Sequence, residues 1–268
     1  MAESIFLADG ERFLPTELAR GPWDPQALHG GAPAALITSA FERHEPAEGT
    51  AIARLGFEFL RPIPFAPLAL TVRTVRAGRR VQELAAELHA DLGGGGTALI
   101  CRASALRIAA IGAGLPELPA GALGGPAMPG PEEGQPVRFA LDGTDRRSFA
   151  ASAMEMRWLD DAAAPGPARV WMRLRHPLVA GAPLSTLARL AATADFGNGV
   201  SAWLAFADYL FINADLTIHL HRPPRGEWVG LEARTLLQEG GTGLAESIMH
   251  DVQGPVGRAF QTLLVARR

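Results

Sequence analysis

The chain has 268 residues, of which 48% are hydrophobic and 20% charged, and its formal net charge is −3. This composition indicates one large or two small globular domains, and the near-neutral charge gives no electrostatic footprint for nucleic acid or an anionic membrane. The single cysteine excludes an intramolecular disulfide, and because all 25 basic residues are arginine, a Schiff-base lysine and a P-loop lysine are excluded too.

The first residues and the most apolar stretch of the chain indicate where in the cell the protein is expected. The first residues, MAESIFLADGERFLP, lack the basic start and long apolar core of a signal peptide. The most apolar stretch, 200–212, is short and contains Asp208. We therefore expect a cytoplasmic protein without membrane insertion.

Several kinds of catalytic site find no support in the sequence. No serine lies in a G-x-S-x-G elbow, so hydrolysis would have to use an activated water. His219 and His221 alternate on one predicted strand and His250 lies a few strands further along the chain, but no carboxylate spacing supports a metal site formed by these histidines. We expect neither a metal nor a cofactor.

The first half of the chain begins with one or two strands over 4–15, followed by a helix over 32–44. The helix is apolar on most sides, which is typical of a helix enclosed by a sheet. It is entered through His-Gly-Gly-Ala-Pro (29–33), with no Ser, Thr, Asp or Asn immediately before it to act as a side-chain N-cap. Either this is a tight turn that uses glycine, or it leaves the first backbone N–H groups open to a ligand.

Alternating patterns and turn residues predict the strands that follow. In the first half they are expected at 52–61, 68–77, 81–92 and 97–108. Residues 111–136 are rich in glycine and proline and indicate a linker. The second half repeats the order, with strands within 152–175, a helix over 184–196, and strands at 215–222, 228–238, 242–252 and 257–267.

The two halves resemble each other in detail. Glu58–Leu70 (EFLRPIPFAPLAL) and His219–Leu231 (HLHRPPRGEWVGL) both place Arg-Pro at the end of an alternating run. This repeat predicts an α+β protein of two tandem antiparallel sheets, each wrapped around a central helix, so that one chain forms a pseudo-dimer. We divide it into an N-terminal unit (1–110), the linker (111–136) and a C-terminal unit (137–268).

The repeat also shows which residue of the first half corresponds to each candidate polar residue of the second half. Asp215 corresponds to Arg54, and Gln261 corresponds to Cys101, so one competent site per chain is expected. If Pro-Arg-Gly (224–226) forms a hairpin, Asp215 lies opposite Thr235 on one face of the sheet.

Three segments carry a resemblance to a known family: HGGAPAALITSAF, NADLTIHLHRP and the terminal VGRAFQTLLVAR. In this order the chain resembles the double hot-dog acyl-CoA thioesterases of the thioesterase II-like branch. The resemblance implies a double hot-dog fold, hydrolysis of acyl-CoA, and a catalytic aspartate at the position of Asp215. It further implies that Gln261 holds the attacking water together with Thr235, for which Gln238 or Thr242 are alternatives.

Under this interpretation the glycine entrance has a chemical role. The N–H of Gly31 would stabilise the oxyanion of the thioester with the positive end of the helix dipole behind it, while Gly30 allows close approach and His29 contacts the ligand. Asp215 would act as the general base for water in a pocket with few charges. Acyl-CoA is the expected partner, and a homodimer of the pseudo-dimer is possible.

Two other functions remain open at this stage. Asp24 lies five residues before His29, and hot-dog enoyl-CoA hydratases use an Asp-x4-His pair just ahead of the helix. Alternatively, the protein binds acyl-CoA without turnover. Asp195 and Asp208, after the second helix, are expected to be caps and surface charges.

Overall fold

The computed structural model describes residues 3–93, 96–110, 112, 114, 116–137 and 147–268. In the first half, strands β1 (Phe6–Asp9) and β2 (Arg12–Pro15) precede helix α1 (Gly31–Arg43), and β3 (Thr50–Phe59), β4 (Leu68–Ala77), β5 (Val81–Asp91) and β6 (Thr97–Ala109) follow it. In the second half, β7 (Gln135–Pro136), β8 (Met154–Trp158) and β9 (Ala168–Leu174) precede helices α2 (Thr186–Ala194) and α3 (Gly197–Val200). Strands β10 (Tyr209–Asn213), β11 (Asp215–Leu220), β12 (Val229–Leu237), β13 (Thr242–Asp251) and β14 (Gly254–Arg267) complete it.

The predicted elements after each helix are confirmed, and their bounds shift by at most a few residues. Strand β10 was not predicted, and the predicted second helix ends early and is followed by the short α3. Residues 111, 113 and 115 of the predicted linker lie outside the described residues.

All of these strands belong to one sheet, and they pair antiparallel. Its order is β1-β2-β4-β5-β6-β3-β11-β14-β13-β12-β9-β8-β7, with β10 paired to β14. The two halves meet at the centre, where β3 pairs with β11 and Leu55 lies opposite Ile218. On either side of this pair the order β3-β6-β5-β4 is matched by β11-β14-β13-β12, as the sequence repeat predicts.

The helices cover one face of this sheet, which we call the inner face. Alternate residues of β11, Leu216 and Ile218, are fully buried in the core together with the apolar side chains of α1 and α2, whereas His219 is exposed. Residues with the parity of Asp215 therefore lie on the opposite, outer face. Helices α1 and α2 contact each other.

The prediction that strands 215–222 and 228–238 form a hairpin is wrong. Strand β11 pairs with β3 and β14, while β12 pairs with β9 and β13. Strand β11 has β3 on one side and β14 on the other, so it has no free edge with which β12 could pair. Asp215 consequently lies opposite Glu58 and not opposite Thr235.

Within the described part of the chain, no helix is both long and apolar enough to cross a bilayer.

Candidate functional site

A buried polar cluster lies where the start of α1 meets the end of α2. Its centre is the carboxylate of Asp195, whose side chain is 4% exposed. Asn213 Nδ2 donates to Asp195 Oδ1 over 2.8 Å, and His29 Nδ1 lies 2.9 Å from Asp195 Oδ2. Gln261 Nε2 contacts the same residue, at 3.2 Å from the backbone oxygen and 3.5 Å from Oδ1. Side chains from the start of α1, from β10 and from β14 thus meet at the carboxylate that ends α2.

The expectation that Asp195 is a surface charge is wrong, although its position as a helix cap is confirmed. Asp195 is the C-cap of α2, with helical φ −70° and ψ −9°. The two helices run antiparallel, since Gly31 at the start of α1 lies against Ala192 near the end of α2. This packing points the cap residue towards α1. A buried carboxylate needs hydrogen-bond donors, and the cluster supplies them.

Gln261 lies on the inner face of β14 and is 1% exposed. Its Oε1 accepts from the backbone N–H of Asn198 over 2.9 Å. This bond fixes the orientation of the amide, because the acceptor oxygen must face Asn198 and the donor nitrogen must then face Asp195. The start of α3 therefore holds the glutamine in position for the carboxylate.

Two aromatic rings pack against His29. Its ring centroid lies 4.3 Å from that of Phe196, in a stacked arrangement, and 5.1 Å from that of Phe149. Nδ1 is 2.9 Å from Asp195 Oδ2 and also 3.1 Å from the backbone nitrogen of Gly31. One ring nitrogen cannot both donate to the carboxylate and accept from the amide. With Asp195 ionised, the charge-assisted bond to the carboxylate is the stronger one.

The glycine entrance to α1 is explained by its distance from Asp195. A Cβ on Gly30 would lie 2.9 Å from Oδ2 and 3.0 Å from Oδ1 of Asp195. Gly30 has φ −59°, so glycine is required for close approach and not for an unusual backbone conformation. No described residue accepts a hydrogen bond from the Gly30 N–H. The helix start therefore presents a free donor next to the carboxylate.

Thr235 lies on the same inner face as Gln261, in a cross-strand row through Ala245. Its Oγ1 is 2.7 Å from Ser201 Oγ, and it is 4% exposed. It forms no hydrogen bond with Asp195. The alternatives Gln238 and Thr242 are both exposed.

Asp215 lies on the outer face, apart from this cluster. Its Oδ1 accepts from the backbone N–H of Thr262 over 2.7 Å. A shallow groove around it is lined by charged side chains of both signs, contrary to the expected pocket with few charges: Arg54, Glu58, Arg73, Glu87 and Arg102. The structure therefore does not bring Asp215 together with Gln261 or Thr235.

The Asp24–His29 pair expected of a hydratase is not formed. The Asp24 carboxylate is exposed and accepts from the backbone N–H of Gln26 over 2.7 Å. The partner of His29 is Asp195, from the other half of the chain. Sequence reasoning missed the role of both Asp195 and Asn213, and no local signal marks Asp195, because only the packing of α1 on α2 places it at the helix start.

Two family models cover most of the chain. That of the acyl-CoA thioesterase N-terminal domain matches residues 19–108, and that of the acyl-CoA thioesterase C-terminal domain matches residues 126–265. The chain belongs to the acyl-CoA thioesterase family. It is therefore a thioesterase, and the family predicted from its sequence motifs is confirmed.

Solved structures agree with this thioesterase in fold. A proposed thioesterase II from Thermobifida fusca is 16% identical, with 99% of this chain and 96% of that chain covered and a TM-score of 0.74. A protein of unknown function with a hot-dog fold from Alicyclobacillus acidocaldarius is 17% identical over 98% and 95% of the two chains, with a TM-score of 0.70. An acyl-CoA thioesterase II from Mycobacterium marinum is 18% identical over 100% and 95%, with a TM-score of 0.63. At these identities the likeness shows the hot-dog fold alone. No curated protein matches the chain.

Proposed function

We propose that this thioesterase hydrolyses acyl-CoA to free CoA and a carboxylic acid, with the attacking water activated at Asp195. The observation that carries the proposal is the buried Asp195 carboxylate, 2.8 Å from Asn213 Nδ2 and directly against Gly30 at the start of α1. A carboxylate held in this way can promote the removal of a proton from water, directly or through a base that it orients. Gln261 and Asn213 fix the carboxylate in place.

The start of α1 supplies the second requirement of the reaction. When water attacks the thioester carbon, the carbonyl oxygen becomes an oxyanion, which then collapses as the C–S bond breaks. The free N–H of Gly30, with that of Gly31 beside it, is suited to donate to this oxyanion. The sequence predicted the Gly31 N–H as the main donor. We propose Gly30 instead, because its N–H has no acceptor among the described residues, whereas the Gly31 nitrogen lies 3.1 Å from His29 Nδ1.

Asp215 and Thr235, the residues first assigned from the sequence, remain predictions. Thr235 lies on the inner face with Gln261 and could contribute to the acyl-binding side of the site. Asp215 lies among arginines on the outer face. The geometry favours Asp195 over Asp215 as the carboxylate that activates water, and variants of the two residues separate these assignments.

We also propose that the chain is a pseudo-dimer of two hot-dog units, each enclosing its helix, with one complete site. The first half lacks the chemistry of the second, since the C-cap of α1 is His44 where that of α2 is Asp195. Cys101, the repeat counterpart of Gln261, is a buried thiol whose pKa is raised by burial to about 12, so it stays neutral and inert. The second helix begins at a side-chain cap, since Ser185 Oγ accepts from the Ala188 N–H over 3.0 Å, whereas α1 begins without a side-chain cap.

Release of free thiol from a panel of saturated acyl-CoAs, short to long, tests the proposed reaction. We expect turnover of at least one chain length, and the panel reports the depth of the acyl site. Absence of thiol release across the panel would contradict the proposal. If acyl-CoA still bound, the protein would be a binder without turnover.

A second candidate, hydration of 2-enoyl-CoA, is favoured by the contact between His29 and Asp195. An imidazole and a carboxylate 2.9 Å apart are the acid and base that addition of water to a double bond needs. Loss of the enoyl absorbance of crotonyl-CoA, followed beside the thiol assay, reports this activity. Hydration without thiol release would replace the thioesterase proposal with this one.

A further inference from the structure

His29 has the geometry of a proton carrier and not only of a structural neighbour. Nδ1 lies 2.9 Å from the Asp195 carboxylate, and 9% of the His29 side-chain surface reaches solvent. The other ring nitrogen, Nε2, has no hydrogen-bond partner among the described residues. The ring of Phe196 stacks on the imidazole and that of Phe149 packs against it at a tilt, which restricts the orientations that the imidazole can adopt.

The tautomer follows from the charge of Asp195. An ionised carboxylate at 2.9 Å needs a donor, so Nδ1 carries the hydrogen. Nε2 then carries the lone pair and can accept a proton. The hydrogen on Nδ1 also prevents this atom from accepting the Gly31 N–H, which leaves that donor available beside the N–H of Gly30.

We infer that His29 is a catalytic residue of the hydrolysis, in which its Nε2 takes the proton of the attacking water while Asp195 stays ionised and orients the ring. This inference rests on the proposed function and names the atom through which Asp195 acts. The pair is assembled across the two halves, with the histidine from the first and the carboxylate from the second. An isolated half would lack one member.

The proton and the electrons balance within the site. Nε2 accepts one proton from water as the oxygen bonds to the thioester carbon, and the carbonyl π electrons move to the oxygen held by the α1 N–H groups. When the oxyanion collapses, the C–S bond breaks and the electron pair leaves with sulfur. The proton on Nε2 passes to that sulfur and releases CoA as the free thiol, which returns His29 to its starting form.

The replacement His29→Asn separates proton transfer from orientation. The asparagine amide can keep a donor near the position of Nδ1 for Asp195 but has no basic nitrogen. We expect kcat for thiol release to fall by about 100-fold or more, with little change in KM. In His29→Ala, added imidazole should restore part of the lost kcat. His221→Asn, at an exposed histidine, is the matched control and should retain wild-type kcat.

The outcomes distinguish this inference from the proposed function. If Asp195→Asn is inactive but His29→Asn keeps wild-type kcat, the function stands and the role of His29 as proton carrier is overturned. If the wild type releases no thiol, both fail together. Melting temperatures identify a variant that does not fold, and for His29→Asn that result would move the decision to His29→Ala. Folded His29→Ala without imidazole rescue overturns the inference.

Discussion

At the residue scale, the site depends on how closely the helix start approaches the carboxylate. Gly30 has ordinary helical dihedral angles, and its lack of a side chain matters because Asp195 fills the space a Cβ would take. Asp195 cannot simply turn away, since its two oxygens are held by Asn213 and His29. Small changes at these residues should therefore alter activity much more than stability.

Replacing Gly30 with alanine should displace the Asp195 carboxylate without preventing the helix from forming. The new Cβ would lie 2.9 Å from Oδ2, which is too close, so the carboxylate must shift. A misplacement of about 1 Å at a reacting group can cost about 100-fold in rate. We expect kcat for thiol release to fall by that amount while the melting temperature changes little. Gly96→Ala, where a Cβ meets nothing within 4 Å, is the control. Wild-type kcat in Gly30→Ala would show that the contact is unimportant.

Gln261→Glu changes the charge facing Asp195 with almost no change in shape. The new carboxylate could still accept from the Asn198 N–H, but the donor that faces Asp195 would be lost and replaced by a like charge. We expect kcat to fall at least 10-fold at neutral pH. Gln238→Glu, at an exposed position, should leave kcat unchanged. Equal activity of both variants would exclude Gln261 from the site.

At the element scale, the two ends of α1 are treated differently. The start has no side-chain cap, whereas Arg107 closes the other end by donating to the backbone oxygens of Phe41, His44 and Glu45. Arg107 is 3% exposed, and its positive charge suits a helix C-terminus. The end of α1 is thus fixed to the sheet, while its start keeps the free N–H on which the proposed function depends.

Arg107→Met should therefore destabilise the fold. The apolar side chain would leave the buried Phe41 oxygen and the part-buried His44 and Glu45 oxygens without this donor, and a buried acceptor without a donor costs about 1–3 kcal/mol. We expect the free energy of unfolding to fall by about 3 kcal/mol in a denaturant titration. The control is Arg267→Met, because Arg267 is an exposed arginine at the end of β14. A shift no larger than that of Arg267→Met would contradict the capping role.

The elements themselves were largely predictable, and their pairing was only partly so. Alternation and turn residues located β3 to β6 and β11 to β14, because these signals are local. The false hairpin shows the limit. Residues 222–228 permit a turn, but β12 can pair with β11 only if β11 has a free edge. It has none, because β11 pairs with β3 where the two halves meet and with β14 on its other side.

At the scale of the whole molecule, the site is a product of the repeat. The glycine entrance and Gln261 could be recognised from the sequence, since an uncapped helix start and an amide in an apolar strand stand out locally. Asp195 could not, because a carboxylate after a helix is usually a surface cap. Only the antiparallel packing of α1 on α2 places it against Gly30. The same applies to Asn213, on a strand that was not predicted.

Stability at low pH should be limited by His250, which is 2% exposed and has no hydrogen-bond partner at either ring nitrogen. Burial lowers the pKa of His250 to about 4; Asp251 opposes this shift and Arg222 adds to it. Between an ordinary histidine pKa near 6.5 and this value, the unfolded chain binds a proton that the folded chain does not. The free energy of unfolding therefore falls as pH is lowered through this range.

The size of this effect is about 3 kcal/mol, from about 1.4 kcal/mol per pKa unit. Denaturant titrations at pH 7 and pH 4 should show that the wild type loses about 3 kcal/mol more than His250→Leu. His221→Leu, at an exposed histidine, should behave as the wild type does. Equal losses in the wild type and His250→Leu would mean that His250 does not titrate differently on folding.

The central claim is that the buried Asp195, and not Asp215, activates the water. The most direct measurement is kcat for thiol release from a good acyl-CoA substrate by Asp195→Asn and Asp215→Asn, beside the wild type. We expect Asp195→Asn to lose about 100-fold or more, and Asp215→Asn to stay within a few-fold of the wild type. A collapse of activity in Asp215→Asn, with Asp195→Asn still active, would contradict the account and return the catalytic role to the outer face of the sheet.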